Sequence, residues 1–126
     1  MSKLVENSPW RTMYKECQDH DRMITTIKAA CYQSNVSDTS PLYKWLRFDV
    51  VQSLESCTPV LQHYMDIRDL QKFWEFEWKT VLPIFEKVID AYKKIPKKMI
   101  GTPEWFLIKT CADKIFYRYV KMKERD

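Results

Sequence analysis

The sequence predicts an all-α fold, a compact bundle of about five helices in a single domain, and three observations carry that expectation. Apolar residues recur at alternating steps of three and four, which keeps them on one side of a helix with 3.6 residues per turn. Four of the six prolines follow Ser or Thr, at Ser8-Pro9, Ser40-Pro41, Thr58-Pro59 and Thr102-Pro103. A Ser or Thr side chain accepts a hydrogen bond from an orphan N–H at a helix start, and proline fits the first helical position. No segment shows sustained polar and apolar alternation bounded by turn residues, so no sheet is expected.

The first helix follows Pro9, with Trp10, Met13, Cys17, His20, Ile24, Ile27 and Cys31 on one stripe. The polar stretch Gln33 to Thr39 ends it. A second helix from Pro41 to about Ser56 places Leu42, Leu46, Val50, Leu54 and Cys57 on one side. A third is expected to start at Pro59 and to stop or bend between Asp66 and Asp69. From Leu70 a broad apolar face runs through Trp74, Trp78, Val81, Leu82, Phe85, Val88 and Ile89 to Ile95. Pro83 removes one backbone bond inside that run and predicts a kink, since the face keeps its phase across it. The last helix, about 103–124, has Trp105, Ile108, Cys111, Ala112, Ile115, Tyr119 and Met122 on its core side. Residues 1–126 are read as one domain, with 1–7 flexible.

Composition narrows the chemistry. The single glycine, Gly101, excludes the glycine-rich loops that let backbone approach a dinucleotide or a phosphate. The two histidines do not sit in paired Glu-x-x-His motifs, which excludes a di-iron bundle. Cys17, His20, Cys57 and His63 are the one combination that can be brought to a tetrahedral zinc, against a bland reading as packing residues and a hydrogen-bonded histidine. No metal site, cofactor, catalytic residue or small-molecule substrate is assigned. An enzyme would need His20 or His63 as a working base in a cleft.

Two surfaces remain for partners. Residues 1–78 hold nine Lys/Arg against eleven Asp/Glu, whereas residues 79–126 hold twelve against six, so the C-terminal part is basic. Lys93, Lys94, Lys97 and Lys98 precede the last helix, and Lys114, Arg118, Lys121 and Arg125 recur along it at helical spacing. Such a patch suits phosphates, or it is simply a solvated face. The second surface is aromatic: Trp45 and Phe48, with Gln52 beside them, point away from the Leu46/Val50/Leu54 face, and Phe76 points away from Trp74 and Trp78. A helix with two apolar faces is either central in its bundle or covered by another chain.

The expected function is a non-catalytic helical module that binds a protein partner, or a second copy of itself, through Trp45, Phe48, Gln52 and Phe76. The alternative is a nucleic-acid-associated protein that uses the basic C-terminal half. With no signal-like or membrane-spanning apolar segment, an intracellular location without membrane attachment is expected. The Ser/Thr-Pro dipeptides serve as helix caps, as sites for proline-directed kinases, or as both.

Overall fold

The structure, a computed structural model, describes residues 9–125. They form an all-α bundle with no strand. Helix α1 spans Pro9–Gln33. Helix α2 starts as Pro41–Lys44, passes through a π-helical stretch at Trp45–Val50 and continues as Val51–Asp66. Helix α3 does the same through Leu70–Phe76, a π-helical stretch at Glu77–Val81, and Leu82–Lys93. A 3₁₀ turn at Lys97–Met99 leads into α4, Pro103–Glu124. Consecutive helices run antiparallel, and α1 also packs against α4, closing the bundle.

The described residues form four long helices rather than about five. Pro59 starts no helix and lies inside α2. Its ring is on the exposed side, while Leu54, Cys57, Leu61 and Met65 keep one buried side across it. The lost backbone bond therefore falls on the solvent face, where helices already lengthen their bonds. Pro83 is accommodated as well, with a wider turn behind it: the Leu82 N–H donates to the Glu77 carbonyl, five residues back. That turn relieves the crowding between a proline ring and the carbonyl four residues earlier.

The caps are divided. The Thr102 hydroxyl accepts from Trp105 N–H at 3.3 Å and donates to the Met99 carbonyl at 2.6 Å, as expected of a Thr-Pro start. Ser40 has extended backbone before Pro41, but its side chain makes no capping bond. Ser8, and the flexibility expected for residues 1–7, lie outside the described residues. Gly101 adopts φ 93°, which a residue with a Cβ rarely tolerates, and it turns the chain into α4.

The larger core runs from Met23, Ile27 and Cys31 through Leu46, Leu54, Phe85 and Val88 to Ile108, Ile115 and Met122. A smaller one, Met13, Leu61, Met65 and Phe73, lies beside the α2–α3 turn. Phe73 and Phe85 are fully buried, each worth roughly 2–3 kcal/mol of transfer free energy. The tryptophans are not core residues. Trp10, in the first turn of α1, is 39% exposed and stacks on Tyr14 at 5.2 Å, and the other four are half-buried.

Candidate functional site

The basic stripe expected along the last helix is split by the fold. Arg118 is 3% exposed, because Cys111, Ile115, Arg118 and Met122 share the buried side of α4. It meets a carboxylate that the apolar pattern concealed. Glu77 is fully buried, one turn after buried Phe73 and one before buried Val81. Arg118 donates to Glu16 at 2.6 Å and lies 3.7 Å from both Asp19 and Glu77. Arg125 approaches Glu77 at 2.8 Å and Glu16 at 3.4 Å, with its guanidinium 3.7 Å from the centre of the Trp74 ring. Two of the eight predicted patch cations thus hold α1, α3 and α4 together. They do not face solvent as a common stripe.

Burial shapes the titration of these groups. It pushes the Glu77 carboxyl up to about 7, and Glu16 nearby adds to the rise, against the pull of Arg125 and Arg118. Burial works against the charge on Arg118, but Glu16, Glu77 and Asp19 more than offset it and the guanidinium stays ionised. The thiols of Cys17 and Cys57 rise to about 12 and about 11, chiefly through burial, so neither is a ready nucleophile. Cys111 is raised by a hydrogen bond to Cys31 and by burial. All four cysteines are free.

The four residues weighed as zinc ligands do not converge. Buried His20 donates its Nε2–H to the Leu54 carbonyl at 2.8 Å, leaving Nδ1 without a partner. Burial lowers its pKa, which favours the neutral ring. His63 sits on an exposed face beside the Tyr64 ring. Among the described residues no group of three or more His, Cys, Asp or Glu is placed to hold a metal ion.

The aromatic candidates also divide. Trp45 and Phe76 are half-buried and pack against the core, whereas Phe48 and Gln52 are exposed. Trp45 borders a small recess of about 70 Å³ with Asp49, Ser53, Ile84 and Lys87. Phe48 belongs to a larger exposed set. Arg47 hydrogen-bonds the Tyr32 hydroxyl at 2.8 Å, and its guanidinium lies 5.1 Å from the Tyr32 ring centre and 5.6 Å from that of Phe48. Tyr32 is 67% exposed. At this same end of the bundle Phe106 is 56% exposed and borders a groove of about 490 Å³ between the end of α1 and the start of α4. Lys93, Lys94, Lys97 and Lys98 are exposed there too, and none makes an ion pair among the described residues.

No family model, curated protein or solved structure matches the chain. The geometry alone therefore bears on function. Lys114 is half-buried, and Lys121 is exposed with its ammonium over the Tyr117 ring at 5.7 Å. Tyr32 and Phe106 were legible as aromatics off the apolar stripe, one place after Cys31 and two before Ile108, but nothing local placed them at one end of the bundle. Among the described residues no helix is long and apolar enough to cross a membrane.

Proposed function

We propose that the protein is a non-catalytic, intracellular helical interaction module that engages a protein partner through aromatic side chains at the end of the bundle formed by the α1–α2 loop and the α3–α4 connection. The observation that carries this reading is the exposed sandwich of Tyr32, Arg47 and Phe48. Arginine stacked between aromatic rings is preorganised, so little side-chain entropy is lost when a partner covers it, and Tyr and Arg are enriched at interface hot spots. Free cysteines suit a reducing compartment. Of the sequence candidates, Phe48 and Gln52 remain on the contact surface and Trp45 supports it from within, whereas Phe76 lies beside Tyr64 near the α2–α3 turn, away from this end.

The test is a Tyr32→Ala/Phe48→Ala variant in sedimentation analysis and affinity capture from the native cell. The expected outcome is loss of the associated protein, or of self-association, with unchanged helicity by circular dichroism. A variant that associates as well as wild type counts against the module. The nucleic-acid reading is weaker, because Arg118 and Arg125 are engaged inside the bundle and the cations left do not form one continuous stripe.

A further inference from the structure

Between Asp90 and Glu104 the chain carries four lysines and no acid. Lys93 lies in the last turn of α3, where cations are favoured by the helix dipole. Lys97 and Lys98 lie in the 3₁₀ turn beyond that helix, where the dipole offers no such reason. All four lysines are exposed and unpaired among the described residues. The segment that bears them ends at Gly101, which is part of the wall of the 490 Å³ groove. The groove's apolar lining includes Ala30, Phe106 and Leu107, and its polar lining includes Gln33, Ser34 and Asn35. Gly101 has nothing within 4 Å of where a Cβ would stand, so the approach on that side is open.

We propose that this end of the bundle binds an acidic segment of a partner protein, whose carboxylates meet Lys93, Lys94, Lys97 and Lys98 while one large apolar side chain enters the groove beside Phe106. The inference rests on the interaction-module reading and adds the chemistry of the partner. Charge selects the occupant: no acid among the described residues pairs with the lysines, so an acidic chain is steered to them and a basic one is repelled. The groove adds what charge alone lacks. A recess lined by both apolar and polar groups takes one anchoring side chain and fixes register. A nucleic acid would gain the lysines but has no aliphatic anchor for the recess.

The experiment is selection of twelve-residue peptides from a random displayed library against the full chain, followed by affinity measurement with the selected peptides. The expected result is enrichment of Asp and Glu around one large apolar residue. Those peptides should lose at least about tenfold in affinity against a Lys93→Glu/Lys94→Glu/Lys97→Glu/Lys98→Glu variant, and at least about fivefold against Phe106→Ala. Replacing the apolar residue of the peptide by glycine should match the second loss. No binders, binders without acidic residues, or affinities unchanged in Phe106→Ala each overturn the proposal. So does a twenty-nucleotide DNA strand that binds more tightly than the selected peptides at the same salt. If the selection fails while Tyr32→Ala/Phe48→Ala still abolishes association, the module stands and only the acidic partner is lost.

Discussion

Glu77 carries its charge against the resistance of its surroundings. In the unfolded chain its carboxyl has the ordinary value of 4.5, and in the bundle burial raises it to about 7. Between those values the native state binds more protons than the unfolded one, so this group makes stability fall as pH rises and costs most above pH ~7. The full difference corresponds to about 3 kcal/mol. A Glu77→Gln variant resembles the protonated side chain and lacks this slope. Urea unfolding at pH 5 and pH 8 should therefore show the variant gaining on wild type by up to about 3 kcal/mol as pH rises. Parallel stabilities across that range would contradict the assignment. The residue also shows where sequence reading stops. Phe73, Glu77 and Val81 form a legible spacing of four and four, but a glutamate in a core position is credible only once its arginine partners are located, and these lie on another helix.

The elements themselves were largely written in the sequence, while their continuity was not. The α2–α3 break near Asp66 to Asp69 and the Thr102 cap follow from local chemistry and were legible. Pro59 and Pro83 also have a local signature, but whether a helix survives a proline depends on which side meets solvent and how the preceding turn widens, both tertiary properties. At the α2–α3 turn Arg68 adopts φ 59°. The bonds around it, Asp69 N–H to the Tyr64 carbonyl and Arg68 N–H to the Met65 carbonyl, close the end of α2 in the manner usual for glycine. A left-handed arginine costs roughly 1–2 kcal/mol relative to glycine's freedom, part of which glycine returns through its larger unfolded-state entropy. Arg68→Gly should therefore raise unfolding stability by roughly 0.5–1 kcal/mol, read as a higher urea midpoint at unchanged slope. A lower midpoint would mean that the arginine side chain contributes more than its backbone costs.

At the scale of the molecule the interior is uneven. The larger core fills the end of the bundle near the α1–α2 loop and its middle, and the smaller one lies by the α2–α3 turn. On α1 and α3 the ionic network stands between them, Glu16 one turn from Met13 and Glu77 one turn from Phe73, while Phe76 packs against both cores. A buried ion network contributes little net stability because desolvation offsets much of its attraction, so it joins the two cores more weakly than apolar packing would. The small-core end should then open as a unit without the rest. Native-state hydrogen exchange tests this directly. Amides near Met13, Leu61, Met65 and Phe73 should exchange with protection at least about tenfold lower than those near Ile27, Leu54, Phe85 and Ile108. They should also share one opening free energy, since they pack on each other across α1, α2 and α3. Uniform protection across both sets would show that the arginine network couples the ends as tightly as a continuous core. In that case its worth would lie in cohesion, not only in setting which helices meet.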